Sequence, residues 1–219
     1  MGRFGVRRRG ILKGLVVVGV LAGCAGAQPR LYVLTPLPPG APNGSGAGGG
    51  PSSERQRRGG RSIGVQPVAM PDYLDRPEIV VQTSAHELSA NRDDQWAERL
   101  PTNVTRVLAE NLSVLLGGDR VRVMPARDGD RFDYEVTVDV DRFERTVSGD
   151  SALSAHWAIR DGATGKVLVR NETLRSIPVA SGGYPALVAA MNDNLTALSR
   201  DIAAAIGKLP HKGGARARI

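Results

Sequence analysis

One cysteine, Cys24, stands among 219 residues, so no disulfide can form within the chain. Only three histidines are present, His86, His156 and His211, and they lie far apart. No HExxH or GxSxG is found, and no glycine-rich phosphate loop sits at a strand-helix junction. Each histidine therefore reads as a plain polar residue, although a Ser/His/Asp arrangement assembled in space stays open. Aromatic residues make up 4% of the chain, which neither supports nor excludes an enclosed apolar cavity. Long apolar runs are also missing. The first, Gly14 to Leu21, falls well below the roughly 18 residues that a membrane span needs.

What precedes the cysteine is informative. Arg3, Arg7, Arg8, Arg9 and Lys13 form a basic stretch without Asp or Glu, and the short apolar run follows it. Leu21, Ala22 and Gly23 then lead into Cys24. This has the form of a lipoprotein signal over residues 1–23, with Cys24 as the acylated (palmitate-bearing) first residue of the mature chain. Arg8-Arg9 also resembles a twin-arginine export signal, with the ordinary unfolded-chain route as the default.

The net charge of +7 is largely a property of the signal, which holds five of the 29 basic residues and leaves a mature chain at +2. Residues 62–207 carry 15 basic and 21 acidic groups. A nucleic-acid binder would instead gather positive charge on its folded part, so no nucleic-acid partner is expected. Residues 24–30 read as a tether and 31–35 as a first strand. Residues 36–61 hold 13 Gly and Pro in 26 positions and read as a flexible insertion. Within it Gly44 to Gly49 matches GxGxxG formally, but neither strand nor helix flanks it, so it reads as linker. Residues 62–207 suffice for one domain, and 208–219 read as a basic disordered tail. If Leu31 to Leu34 joins the sheet, the fold lies close to the lipid. If it stays free, the whole stretch is a long leash.

Ile63 to Val68 and Ile79 to Thr83 are strand-like runs separated by Pro71 and Pro77. Trp96, Leu100, Val104, Val107, Leu108, Leu112 and Leu115 recur at helical spacing up to Gly117-Gly118, with Pro101 as a kink or a start. Val121 to Met124 is a short strand. Phe132 to Val140 alternates apolar residues with Asp133, Glu135, Thr137, Asp139 and Asp141. Same-face carboxylates on one strand stand nearly 7 Å apart, too far to share one ion without loop ligands. They read as a solvated face or as partners of Arg160 or Arg170, and no metal or cofactor is expected. Leu153 to Ile159 and Lys166 to Ile177 complete an antiparallel meander. Leu187, Val188, Met191, Leu195, Leu198, Ile202 and Ile206 form a second apolar stripe after Pro185. The expected fold is α/β (α+β): a two-layer sandwich, with a mostly antiparallel mixed sheet of about six or seven strands and two amphipathic helices on one face.

The run Pro67-Val-Ala-Met-Pro-Asp-Tyr-Leu-Asp-Arg-Pro-Glu-Ile-Val80, followed by Trp96-Ala-Glu-Arg-Leu100 and Leu108-Ala-Glu-Asn-Leu112, resembles the auxiliary lipoproteins of ABC-type transport systems, the PqiC/YmbA-like group. The likeness runs from Leu31 to about Ile206, and the Gly-rich insertion departs from that family's compact spacing. It implies a non-enzymatic, periplasm-facing outer-membrane lipoprotein. Its implied partners are an MCE-domain protein and an ABC permease and ATPase, moving lipid or other hydrophobic molecules and supporting membrane integrity. Ala25, where an aspartate would signal retention, agrees with outer-membrane sorting. A homo-oligomer would suit a conduit by analogy. The alternative is an independent lipid-anchored periplasmic binding protein or hydrolase.

Two readings stand for Asp72, Tyr73, Leu74, Asp75 and Arg76. In one they form a docking surface for a partner, with Tyr73 and Arg76 as anchors. In the other they form a turn in which Asp75 pairs with Arg76 and Leu74 plugs the end of the sheet.

Overall fold

Alternating apolar residues and two helical stripes give the architecture that the computed structural model shows, over residues 2, 28–41, 60–125, 131–179 and 182–212. Eight strands form one mixed sheet: β1 (Arg30–Tyr32), β2 (Ser62–Val65), β3 (Glu78–Ser84), β4 (Glu87–Trp96), β5 (Arg120–Val123), β6 (Tyr134–Arg145), β7 (Ser151–Asp161) and β8 (Val167–Ile177). Two helices, α1 (Leu100–Leu116) and α2 (Gly183–Gly207), pack on each other and on the sheet.

The long strand β6 organises the rest. One edge pairs with β7, which pairs in turn with β8, both antiparallel, and Val138 stands opposite Trp157. The other edge receives β2 in parallel from Ile63↔Tyr134 to Val65↔Val136, then a bridge from Ala69 to Asp139, then β3 at Val81↔Arg145. β5 lies parallel to β2, β4 returns antiparallel to β3, and β1 adds in parallel to β4. The expected antiparallel meander and the two-layer plan are both present.

Alternation places Tyr134, Val136, Val138 and Val140 in the core opposite Leu153, Ala155, Trp157 and Ile159. The helices close over them with Leu108 and Leu112 from α1 and Leu195, Leu198 and Ile202 from α2. Each such side chain contributes about 1.5–3 kcal/mol on burial. Between Val140 and Arg142 the register of β6 shifts, which turns Phe143 inward and also buries the neighbouring Glu144.

Several expectations need correction. The sheet gains an eighth strand, β4, whose residues are mostly exposed and polar and so show no alternation. Trp96 ends β4 and does not open α1, whose regular part starts at Leu100 with Pro101 in its first turn, where a missing N–H costs nothing. The first strand spans Arg30–Tyr32 and joins the sheet. Two residues assigned by composition to flexible flanks belong to the packed body. Arg61 is buried against Asp119, and Lys212 lies over the Tyr134 ring, 4.7 Å from its centroid. Both have carboxylate or carbonyl partners waiting on the sheet and on α2, which a composition count cannot see.

Candidate functional site

The chain entering the fold is held by a clasp of polar side chains. On β4, the fully buried Asp94 accepts hydrogen bonds from Arg30 Nη2, Tyr32 Oη and Asn91 Nδ2, each at 2.9 Å. Burial, and then the bond to Asp94, hold the Tyr32 phenol above its ordinary pKa. Beyond β1 the chain crosses the helix pair. Asn103 on α1 accepts from Leu34 N at 2.7 Å and donates back to Leu34 O at 3.3 Å. Asn192 on α2 accepts from Thr35 N at 2.9 Å, and Asn111 on α1 accepts from Leu37 N at 2.7 Å. These three amides stand in for a neighbouring strand, satisfying a backbone that has left the sheet. Leu34 is itself buried beneath the crossing.

The 72–76 turn splits into inward and outward residues. Leu74 is buried, and the Tyr73 hydroxyl donates to Glu144 Oε2 at 3.0 Å. Burial, reinforced by the Glu144 charge, pushes the Tyr73 phenol well above its usual range. Asp75 pairs with Arg99, just ahead of α1, and not with Arg76, and the Arg99 guanidinium holds its carboxyl below the usual carboxylate range. Arg76 pairs forward with Glu78 at 2.9 Å. Asp72 and Arg76 remain exposed.

The acidic residues of β6 and its approach divide: Asp139 and Asp141 are exposed to solvent, while Asp133 and Glu135 are half-buried. Asp133 accepts from Ser62 N at 2.8 Å, Glu135 stands opposite Arg160, and Asp141 lies 3.3 Å from His156 Nε2 on the exposed face. Arg170 stands opposite Ala158. Among the described residues no group of three or more His, Cys, Asp or Glu is placed to hold a metal ion. His86 sits in the exposed β3–β4 turn. His211 borders a cleft of about 660 Å³ between the last turns of α1 and α2. The apolar wall of that cleft includes Leu115, Leu116 and Ala203, and Arg61, Asp119, Arg200 and Lys208 also line it. Arg61 closes the end of α2 by donating Nη1 to Ile206 O at 2.5 Å and pairs with Asp119 at 2.7 Å. Beside it, Lys212 and the backbone amides of Thr164 and Ala163 draw the Asp161 pKa down to about 2.

Cys24 and the Leu21, Ala22 and Gly23 of the lipobox lie outside the described residues, as does most of the 36–61 insertion. The clasp was not foreseen from sequence. Its one visible signal is that Asn103 and Asn111 interrupt the apolar stripe of α1, where buried polar residues need partners.

The family model described as "ABC-type transport auxiliary lipoprotein component" matches residues 46–203. The chain is 28% identical over 153 residues to the "Intermembrane transport lipoprotein PqiC" of Escherichia coli (strain K12), covering 70% of this chain and 79% of the relative. The protein of the same name in Shigella flexneri aligns to the same extent. A solved structure described as an uncharacterized protein superposes with a TM-score of 0.65 at 22% identity, covering 82% of this chain and 99% of that one. A protein from Xanthomonas campestris does so with a TM-score of 0.58 at 20% identity, covering 80% and 90%. These two likenesses establish a shared fold.

Proposed function

This chain belongs to the family of ABC-type transport auxiliary lipoprotein components, and from that membership we propose that it is a non-enzymatic outer-membrane lipoprotein facing the periplasm. It is acylated on Cys24 and serves an ABC transporter together with an MCE-domain protein in moving lipid or other hydrophobic molecules across the envelope. The family match carries the reading, and the signal ending at Leu21-Ala22-Gly23-Cys24 supports it. Each buried methylene of an acyl chain contributes about 0.8 kcal/mol, and one chain holds only weakly, so stable anchoring takes more than one. A Cys24→Ala protein loses the anchor and keeps its fold, which membrane fractionation and circular dichroism together check.

In this reading the 72–76 turn is the docking surface, and it presents Asp72 and Arg76. Tyr73, Leu74 and Asp75 shape it from within. An Asp72→Ser/Arg76→Ser protein then loses partner capture at an unchanged melting temperature.

The decisive experiment is affinity capture of the tagged, lipidated protein from its own envelope in mild detergent, with Cys24→Ala as control. Recovery of an MCE-domain protein with an ABC permease or ATPase supports the auxiliary role. Recovery of neither, from folded protein in the outer membrane, replaces it with an independent binding protein or hydrolase.

A further inference from the structure

Strand directions fix which end of the body the anchor approaches. β1 runs parallel to β4, which leads away from the turn at Ala85-His86, so the chain entering at Arg30 comes from the side of that turn. β3 runs parallel to β6 at Val81↔Arg145, so the β6–β7 turn at 146–150 lies at the same end. Each of these hairpins carries an exposed apolar side chain there, Leu88 at 46% and Val147 at 57% exposure. His86, Glu87 and Arg145, beside them in the chain, are exposed polar residues.

The length of the tether limits how the body can sit. Five residues separate Cys24 from Arg30, and the six steps between them reach at most about 20 Å. Leu31 stands level with Gln95 and Glu78, three residues short of Val81 and hence close to Arg142 and its partner Ser154. The opposite turn begins seven residues further along β7, at Asp161, roughly 24 Å away. A body resting on that far turn would lift Arg30 beyond the tether, whereas the Leu88 and Val147 end lies within it.

We propose that the end bearing the β3–β4 and β6–β7 turns faces the membrane and that Leu88 and Val147 enter the headgroup boundary of a phospholipid surface. The inference rests on acylation at Cys24. It makes the body a second, weaker membrane contact with a fixed orientation, so that α2's last turns and their cleft point away from the lipid.

The sulfur of an acylated Cys24 is taken up in a thioether, so one introduced cysteine is the only free thiol in the lipidated protein. Leu88→Cys, Val147→Cys and, at the far turn, Ala163→Cys would each be labelled with a polarity-sensitive fluorophore. The labelled proteins would be bound to vesicles of phosphatidylethanolamine and phosphatidylglycerol, with mass spectrometry and flotation reporting acylation and anchoring. All three positions are exposed, and thermal melting checks that each variant is folded. The expected result is quenching by brominated lipid and shielding from aqueous iodide at positions 88 and 147, with the reverse at 163. An anchored protein whose three labels respond alike overturns the orientation alone. Shielding from iodide without quenching by brominated lipid also overturns it, and points to a protein contact at that end. A protein that carries no acyl mass and does not float overturns the anchor and the orientation together.

Discussion

Replacing Asn103 by alanine removes both bonds by which α1 holds the chain at Leu34. The stronger is the 2.7 Å bond from the buried Leu34 amide, while the return bond to Leu34 O is long at 3.3 Å. Glu98, the third partner of Asn103, keeps Arg106 at 2.7 Å and loses little. The cost is therefore dominated by one buried N–H left without an acceptor, about 2 kcal/mol. Thr35 and Leu37 keep their own asparagines, and the Leu34 side chain keeps its burial, so the strap loosens without unfolding the sheet. Native-state amide exchange of Leu34 should then accelerate about thirtyfold, the equivalent of 2 kcal/mol. Amides in β6 and β7 should hold their protection. Exchange at Leu34 within threefold of the unaltered protein would refute the view that Asn103 serves as a surrogate strand.

Tyr73→Phe deletes one of three donors to buried Glu144, which keeps Arg142 and the Phe143 amide, and urea denaturation should show a loss of about 1 kcal/mol. Arg61→Leu strands Asp119 in a site where both side chains are nearly inaccessible and uncaps α2. It should cost about 3–5 kcal/mol, much of it regained in the Arg61→Leu/Asp119→Leu double variant, as paired melting curves would show. Asp161 has a folded-state pKa drawn below its unfolded value, so its contribution is complete above about pH 4 and fades as pH falls towards 2. Carboxyl NMR titration should find its midpoint near 2, and Lys212→Ala should raise it towards the ordinary range.

Most of the sheet was readable because burial leaves a period in the sequence. Val136, Val138 and Val140 repeat every second residue, and Leu195, Leu198 and Ile202 mark one face of a helix. β4 left no such trace. Its buried members are Asp94 and Trp96, one of them charged, and the rest faces solvent along a strand covered only by the short β1. The proline-bracketed turn at 72–76 was legible as a turn, but which of its residues face outward depends on Glu144 and Arg99, distant in the chain. The asparagine clasp was illegible for the same reason: Leu34 and Asn103 lie 69 residues apart, and Thr35 and Asn192 lie 157 apart. A local reading registers an amide among leucines as an exception without revealing its partner.

Because β1 enters along its own axis and pairs in parallel with β4, a pull on the chain ahead of Arg30 acts in shear. The slanted ladder from Arg30↔Asp94 to Tyr32↔Trp96, the bonds to Asp94 and the three asparagine clasps would all bear that load at once, instead of opening one after another as in a peeled hairpin. A body dragged by its leading end therefore yields only when several of these bonds fail together, short as the outermost strand is.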